Sequence, residues 1–336
     1  MATMRGWQYT AIGELESQLQ LVTNLPKPSP ATLGQDQVLV KSLYASINPA
    51  DRLASNLGVY TKYKIGLPAI PGYDFCGLVE AIHPSNTTLK TGDLVFGCLG
   101  YPVKHGTLCE YFIAPTTCCA RVPDGVKAEE AAGLGSAAVT AYQALAPFIK
   151  SGQKVFINGG SGGVGMFAIQ FAKMLGAEVT ATCSTKNVPL CQELGATTID
   201  YTQVNLLDVL KQGGQVYDHV VDNVGTAPEL YQQAHLYTNT DAKYIQIGGG
   251  GEISAAQLLK VARNLVLPSF LGGLKRAYRV SIPTVKSEEL AFLADWVAQG
   301  KVRIVIDQQF TFENTVQAFQ KLKTGRARGK IIVSIS

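Results

Sequence analysis

A glycine-rich segment between an apolar strand and a helix constrains this chain more than any other stretch. In KVFINGGSGGVG (Lys154–Gly165), β-favouring residues precede the glycines, and the helix-forming run MFAIQFAKML follows. Gly160, Gly162 and Gly165 fit G-x-G-x-x-G, in which the glycines permit a tight turn, the approach of a pyrophosphate and close helix packing. Free N–H groups at the helix N-terminus favour an anion. We therefore predict that the turn binds a dinucleotide through Gly160, Ser161, Gly162, Gly163, Val164 and Gly165.

The composition is typical of a globular protein of about two domains. The 336 residues are 46% apolar and 16% charged, with a net charge of +4, and the basic residues form no block with interleaved aromatics. We expect neither nucleic-acid binding nor a membrane span, and the N-terminus has no apolar signal core, so we expect a cytoplasmic protein. The seven cysteines include no Cys-x-x-Cys and the four histidines are dispersed, which predicts reduced thiols and no metal site.

The secondary-structure pattern changes twice along the chain and predicts an α/β protein. Residues 1–123 have mostly antiparallel β patterns, and residues 284–336 add helices and a final strand. We predict that these two parts form a β-rich substrate domain, because the Rossmann sheet predicted over residues 124–283 is complete without them. In that central region the predicted strands are 154–158, 178–182, 197–200, 217–221, 243–247 and 265–267, and the predicted helices are 164–175, 187–194, 204–211, 227–235 and 254–262.

The end of the second Rossmann strand indicates which dinucleotide binds. An NAD site usually has an acid there, but Glu178 lies at the wrong end of this strand. The carboxyl end reads CSTKN, in which Ser184 and Lys186 can hydrogen-bond and neutralise a 2′-phosphate. Tyr201, after the next strand, could reach the same phosphate. We therefore predict NADPH; the alternative is a solvated lysine and a surface tyrosine.

The motifs INPADR, IPGYDFCGLVE, NGGSGGVG, VVDNVG and GRARGKIIV resemble the medium-chain dehydrogenase/reductase superfamily, in its zinc-independent quinone oxidoreductase and enoyl reductase branch. The resemblance covers nearly the whole chain. It implies a GroES-like substrate domain built from both ends of the chain, a Rossmann domain, and NADPH in the cleft between them. Relatives of this kind are often homodimers.

The same resemblance implies that the catalytic metal of other members is missing. Zinc-dependent members have a cysteine after the early strand and a Gly-His-Glu motif. Here the first position lies in Asn48-Pro49-Ala50-Asp51, and the second reads Gly72-Tyr73-Asp74. The region of the structural zinc lobe has only Cys98 and Cys109. We therefore predict reduction of an activated C=C bond or a quinone instead of zinc-assisted alcohol oxidation.

Without a metal, the protein must position the acceptor and stabilise the enolate. The resemblance points to Tyr60 as the residue that protonates or holds the substrate, with Tyr63 as a rival and a packing or rim aromatic as the alternative. Asn48 is a second catalytic candidate, whose amide would face the nicotinamide or the substrate; the alternative is a cap ahead of Pro49. We expect Asp51 to cap the following helix.

Further cofactor contacts follow from the resemblance alone. Thr140 corresponds to a position near the nicotinamide ring, with an ordinary helix residue as the alternative, and Gly248 to one where the backbone passes the cofactor. The loop at Phe270, Leu271 and Gly272 corresponds to one that covers the nicotinamide. Arg328 and Lys330 could contact phosphates, with plain surface charge as the alternative. The predicted function is an NADPH-dependent reductase of enones, alkenals or enoyl thioesters; a quinone oxidoreductase and a catalytically silent NADPH-binding accessory protein are the alternatives.

Overall fold

The computed structural model describes residues 2–249, 264 and 273–335. The chain divides into two compact units. Unit 1 contains residues 1–139 and 284–336, and unit 2 contains residues 140–283. The predicted helix 254–262 and the predicted strand 265–267 lie outside the described residues.

Strands and helices occur in both units. In chain order the described strands are Thr3–Gln8 (β1), Gln20–Pro26 (β2), Gln37–Ile47 (β3), Asp74–Ile82 (β4), Leu94–Cys98 (β5), Tyr111–Pro115 (β6), Cys119–Arg121 (β7), Lys154–Asn158 (β8), Glu178–Cys183 (β9), Thr197–Asp200 (β10), Tyr217–Asp222 (β11), Thr238–Gln246 (β12), Ala277–Val280 (β13), Ile306–Thr311 (β14) and Lys330–Ser334 (β15). The described α-helices are Leu15–Gln18 (α1), Pro49–Ser55 (α2), Ala128–Leu145 (α3), Gly163–Met174 (α4), Val188–Glu193 (α5), Leu206–Gln212 (α6), Pro228–Gln232 (α7), Ser287–Ala298 (α8) and Thr315–Lys323 (α9).

Unit 2 contains a parallel sheet with strand order β10-β9-β8-β11-β12-β13. This order confirms the predicted doubly wound α/β fold. The direction of strand succession reverses between β8 and β11, and the carboxyl ends of parallel strands at such a point form the crevice in which nucleotides bind. The described sheet has β10 at one edge and β13 at the other. In the chain, β13 follows the predicted strand 265–267.

The apolar run of β8 explains why it lies inside this sheet. Val155, Phe156 and Ile157 are all fully buried, as expected for a parallel strand that is covered on both faces. Helix α4 follows and buries Phe167 and Ile169. Each such side chain contributes about 1.5–3 kcal/mol of burial free energy. The glycine turn is therefore held between two elements, β8 and α4, that are both anchored in the core.

Unit 1 is organised around the long strand β3, which pairs with β4, β6 and β15 in a mostly antiparallel sheet. Strand β15 places Ile331 opposite Ile47, so the C-terminal segment belongs to the same sheet as the first third of the chain. The indole N–H of Trp7 also donates to the carbonyl oxygen of Phe312 at 2.8 Å. Both ends of the chain therefore contribute to one core.

Helix α3 runs from unit 1 into unit 2, so the predicted domain boundary at residue 124 stays a prediction. The sequence pattern predicts two helices here, 127–133 and 137–147, and the structure agrees, because α3 consists of two helical parts separated by a kink with non-helical backbone at Gly135. Among the helices of residues 2–249 and 273–335, none is long and apolar enough to cross a membrane.

Candidate active site

The three motif glycines in the turn of unit 2 differ in how much room a side chain would have. A Cβ on Gly165 would lie 2.1 Å from the carbonyl oxygen of Gly159, and a Cβ on Gly160 would lie 2.8 Å from the Cβ of Ala181. Close packing therefore requires both glycines. A Cβ on Gly162 would have its nearest neighbour at 3.7 Å, so packing within the chain does not require this one. The space above it, next to the first-turn N–H groups of α4, fits a dinucleotide pyrophosphate.

A buried network at the carboxyl ends of β8, β9 and β11 holds this turn in place. The N–H of Gly159 donates to Thr182 Oγ1 at 2.8 Å, and the hydroxyl of Thr182 donates to Asn158 Oδ1 at 2.7 Å. Asn158 Nδ2 in turn donates to Asp222 Oδ1 at 2.8 Å. None of these side chains was among the predicted site residues. An aspartate that ends an apolar strand in VVDNVG was the available signal.

Asp222 also holds the turn that follows β11. Its Oδ1 accepts the N–H groups of Val224 and Gly225 at 3.0 Å, and its Oδ2 accepts the Tyr244 hydroxyl at 2.6 Å. Burial, together with the Asp222 carboxylate, raises the pKa of Tyr244 well above its ordinary value. A Cβ on Gly225 would lie 2.0 Å from the carbonyl oxygen of Gly248. The predicted contact residue Gly248 is thus packed against this turn.

Asn187, which was not predicted as a site residue, connects two predicted cofactor residues, Ser161 and Ser184. Asn187 Nδ2 donates to Ser161 Oγ of the glycine turn at 3.0 Å and to Ser184 Oγ at 3.3 Å. Asn187 is buried, so this amide fixes the distance between the glycine turn and the end of β9.

Lys186 and Tyr201 lie at the same edge of the sheet and are exposed. The N–H of Tyr201 donates to the last carbonyl oxygen of β9 at 3.2 Å. An acid also lies here: Asp200 Oδ2 accepts the Thr185 hydroxyl at 2.5 Å, and hydrogen bonds from Thr185 and Thr202 lower the pKa of Asp200. The usual NAD signal is an acid at the end of β9, whereas this carboxylate lies at the end of β10.

The remaining predicted residues of unit 2 are not tested by geometry. Thr140 is buried in α3. Phe270, Leu271 and Gly272 lie outside the described residues.

A buried cluster in unit 1 joins the residue before α2 with the first residues of β4 and β15. The Lys330 ammonium lies 2.5 Å from Asn48 Oδ1 and 3.3 Å from Asp74 Oδ2. Asn48 Nδ2 donates to Asp74 Oδ2 at 2.9 Å and to the carbonyl oxygen of Ser46 at 3.3 Å. An amide nitrogen has two hydrogens, and these bonds use both. This corrects the expectation that the Asn48 amide faces the nicotinamide or substrate.

Helix α3 completes the surroundings of Asp74. The Ser136 N–H donates to Asp74 Oδ1 at 2.7 Å. This N–H is available because the helix is kinked at Gly135, where a Cβ would lie 2.5 Å from the same oxygen. The glycine therefore lets the helix backbone approach the buried carboxylate.

Lys330 is buried, with 3% of the residue exposed. The expectation of plain surface charge is therefore wrong for this residue. Its ammonium contacts Asn48 and Asp74, and a contact with a cofactor phosphate would require it to leave both. Arg328, the other cation considered with it, is exposed.

Asp51 acts as a cap of α2, as expected. It accepts the N–H of Asn48 on Oδ2 at 2.5 Å, which is one half of a capping box. Its Oδ1 is buried and has no hydrogen-bond partner among the described residues. Burial raises the pKa of Asp51 to about 8, and the Asp74 carboxylate acts in the same direction.

The two tyrosine candidates lie on the short segment that follows α2. Tyr60 is 42% exposed and Tyr63 is 73% exposed, so both rings reach the surface of unit 1. The Thr61 hydroxyl donates to the carbonyl oxygen of Ala54 in α2 at 2.7 Å. The segment is thereby held against the end of the helix. The Lys62 ammonium lies 5.6 Å from the centroid of the Tyr63 ring.

The donor set of unit 1 does not fit a zinc ion. Zinc takes thiolate, imidazole and carboxylate ligands, whereas Asn48 offers an amide beside Asp74, and burial together with the Asp74 carboxylate raises the pKa of the neighbouring Cys98 thiol well above its ordinary value. The Lys330 ammonium, 3.3 Å from Asp74, would repel a metal cation. Burial raises the pKa of the Cys109 thiol to about 12, which disfavours a thiolate. No group of three His, Cys, Asp or Glu side chains in the described part of the chain could hold a metal.

Two protein families match the chain in separate segments. Residues 34–124 match the alcohol dehydrogenase GroES-like domain, and residues 194–333 match the zinc-binding dehydrogenase family. The first match lies in unit 1, and the second begins in unit 2 and continues to β15.

Individual relatives match over nearly the whole chain. The trans-enoyl reductase pgmF of Aspergillus terreus is 42% identical over 99% of this chain and 97% of its own length. An Arabidopsis thaliana protein named NADPH-dependent alkenal/one oxidoreductase, chloroplastic, is 30% identical over 98% of this chain and 79% of its own. The solved structure of the quinone oxidoreductase from Coxiella burnetii has a TM-score of 0.85 and 30% identity, covering 99% of both chains.

Proposed function

The chain belongs to the medium-chain dehydrogenase/reductase superfamily, in its zinc-independent branch, and is an oxidoreductase; we propose that it transfers hydride from NADPH to the C=C bond of an α,β-unsaturated carbonyl compound. The proposed substrate class comprises enones, alkenals and enoyl thioesters. The names of the Aspergillus and Arabidopsis relatives support this class.

The donor set around Asp74 is the observation that carries the proposal. Zinc-assisted chemistry uses a metal that polarises a carbonyl oxygen, and the Lys330 ammonium beside Asp74 does not fit one. A conjugated C=C bond accepts hydride at its β-carbon and delocalises the charge onto the carbonyl oxygen. That charge needs only a hydrogen-bond or proton donor.

NADPH fits the described residues of unit 2. The turn from Gly160 to Gly165 would hold the pyrophosphate, with Gly162 as the point of closest approach. The hydroxyl of Ser184, the ammonium of Lys186 and the phenol of Tyr201 would meet the 2′-phosphate. The Asp200 carboxylate lies close to this edge and would oppose the phosphate, so the preference for NADPH over NADH depends on Lys186.

The proposed mechanism assigns the proton to Tyr60. When bound, the nicotinamide supplies the hydride. Tyr60 then donates its phenolic proton to the α-carbon of the enolate or holds the enolate oxygen, and water restores the proton. Asn48 acts by holding its neighbours, because both of its amide hydrogens are used within unit 1.

A substrate panel tests the proposal. The purified protein is given NADPH or NADH with an enone, an alkenal, an enoyl thioester or a quinone, and the products are identified by mass spectrometry. We expect NADPH to be consumed with formation of the saturated carbonyl compound. Turnover of quinones alone would support the second candidate, a quinone oxidoreductase, which the match to the Coxiella structure favours. Tight NADPH binding without any turnover would support an accessory role.

A matched pair of tyrosine variants tests the proton donor. Tyr60→Phe should lower kcat by about 100-fold or more, because it removes a general acid, and should leave the NADPH dissociation constant unchanged. Tyr63→Phe is the control, since the same hydroxyl is removed three residues away. If Tyr63→Phe lowers kcat and Tyr60→Phe does not, Tyr63 is the donor.

Location and assembly stay predictions. The expected cytoplasmic location can be checked by microscopy of a tagged protein, and the possible homodimer by light scattering.

A further inference from the structure

Lys330 is unusual because its charge is enclosed inside unit 1. Lysine is almost never fully buried unless it is paired, and here 3% of the residue is exposed. Its Nζ contacts Asn48, 282 positions earlier in the chain, and Asp74, 256 positions earlier. One ammonium thus connects β15 with the N-terminus of α2 and with the start of β4.

Two carboxyl groups, those of Asp74 and Asp51, lie near Lys330 inside unit 1. Asp74 is fully buried and pairs with it at 3.3 Å. Asp51, on α2, interacts electrostatically with both groups, and burial raises its pKa to about 8. Removing the ammonium would leave Asp74 as an uncompensated buried anion.

The same cation is incompatible with the metal that a zinc-binding dehydrogenase implies. Asn48 lies in the motif that stands in place of the zinc-binding cysteine, and Asp74 ends the segment Gly72-Tyr73-Asp74 that stands in place of Gly-His-Glu. Here they converge on an ammonium instead. Lysine presents donors and no lone pair when it is charged, so it orders the neighbouring acceptors but cannot serve as a ligand.

The cluster is linked mechanically to the Tyr60 segment through α2. Asn48 precedes the first residue of this helix, which spans seven residues and thus about 10 Å. At the other end of the helix, Thr61 Oγ1 donates to the carbonyl oxygen of Ala54 and accepts the N–H of Leu57 at 3.0 Å. Tyr60 directly precedes Thr61. A displacement of Asn48 would therefore be transmitted to Tyr60 by a short, hydrogen-bonded element.

We propose that Lys330 is a positioning residue: its ammonium is the fixed cation that holds Asn48 and Asp74, where a metal ion would otherwise be held, and through α2 it sets the position of Tyr60. The proposal rests on the proposed function in treating Tyr60 as the proton donor. It also gives Lys330 a partner other than a cofactor phosphate.

The test compares full-length Lys330→Met with Arg326→Met, a nearby exposed cation, as the matched control. With whichever acceptor the wild-type protein reduces, Lys330→Met should lower kcat by about tenfold or more. Its NADPH dissociation constant, measured by fluorescence titration, should stay within about twofold of the wild-type value. Arg326→Met should change neither quantity. Elemental analysis of the wild-type protein should find no stoichiometric zinc.

Three results would overturn the proposal. If Lys330→Met weakens NADPH binding and leaves kcat unchanged, Lys330 binds a phosphate. If kcat and NADPH affinity both stay at the wild-type values, the residue positions nothing that the reaction needs. If the wild-type protein contains stoichiometric zinc and loses activity with a chelator, the cluster is not a replacement for the metal.

A second variant and a second measurement keep the test decisive. If Lys330→Met does not fold, the double variant Asp74→Asn/Lys330→Met removes both charges and should fold, but its kcat should remain low; a wild-type kcat would contradict the proposal. Hydrogen–deuterium exchange over residues 54–65 should accelerate in the lysine variant and not in Arg326→Met. This readout needs no turnover, so it remains valid if the proposed reaction is wrong.

Discussion

Asp74 in unit 1 and Asp222 in unit 2 are both fully buried, but they are stabilised in different ways. Asp74 pairs with the Lys330 ammonium at 3.3 Å and accepts an amide hydrogen of Asn48 at 2.9 Å. These partners lie far away in the sequence. The Asp74 charge is therefore balanced by a second charge that is just as buried.

Asp222 is stabilised by neutral hydrogen-bond donors instead of by a second charge. Among the described residues its recorded hydrogen-bond donors are all neutral: the Asn158 amide, the Tyr244 hydroxyl and the N–H groups of residues 224–225. They come from neighbouring parallel strands and from the turn that follows at once. Aligned neutral donors stabilise a carboxylate without a counter-ion.

The difference shows what each unit needs from its buried acid. In unit 1 the ion pair joins β15, from the C-terminal part of the chain, to β4, from the first third. Loss of one charge leaves the other uncompensated. In unit 2 the acid orders the loops at the carboxyl ends of the strands, including the glycine turn. Loss of its charge leaves only neutral groups to rearrange.

The largest expected effect comes from breaking the ion pair at Asp74. Asp74→Asn should lower the free energy of unfolding by about 3–5 kcal/mol, because the Lys330 ammonium loses its counter-charge. Urea unfolding followed by tryptophan fluorescence reports on this unit, since Trp7 and Trp296 both lie in it. The control is Glu80→Gln, which removes the surface pair with Lys27 and should change stability by about 0–1 kcal/mol. Equal effects of the two variants would contradict the prediction.

A smaller effect is expected at Asp222. Asp222→Asn should cost about 1–3 kcal/mol, because one or two buried donors lose an acceptor. It should also weaken NADPH binding, since the Asn158–Thr182 network holds the N–H of Gly159. Tyr244→Phe, the control, removes one donor and should cost about 1 kcal/mol. Circular dichroism during urea unfolding measures the loss of stability, and NADPH titration measures the loss of affinity. A larger loss here than at Asp74 would reverse the comparison between the two units.

The two sites also differ in how much of them the sequence reveals. The glycine turn and the parallel sheet could be predicted because their signals are local: an apolar run, three spaced glycines and a helix-forming run within 25 residues. Asp222 also had a local signal, as an acid at the end of a buried strand.

The unit 1 cluster could not be predicted, because its members meet only through sheet pairing. The sequence predicted that Lys330 contacts a cofactor phosphate or adds surface charge, and the hint of its burial was its place at the start of the buried strand KIIV. The orientation of the Asn48 amide depends on Lys330 and Asp74 together. No spacing within the sequence encodes that contact.

The most specific effect is a pH dependence that originates from Asp51. Burial raises its pKa from 3.8 to about 8 in the folded protein, so between these values the folded state binds a proton that the unfolded state has lost. The stabilising contribution is complete below pH 3.8 and disappears as the pH rises through 8. Asp51→Asn does not titrate, so between pH 5 and pH 8 the wild-type melting temperature should fall more steeply than that of the variant. In free energy of unfolding, the pH slopes of the wild type and the variant should differ by at most about 1.4 kcal/mol per pH unit. Parallel curves would show that Asp51 is ionised in the folded protein, with Lys330 balancing two carboxylates instead of one.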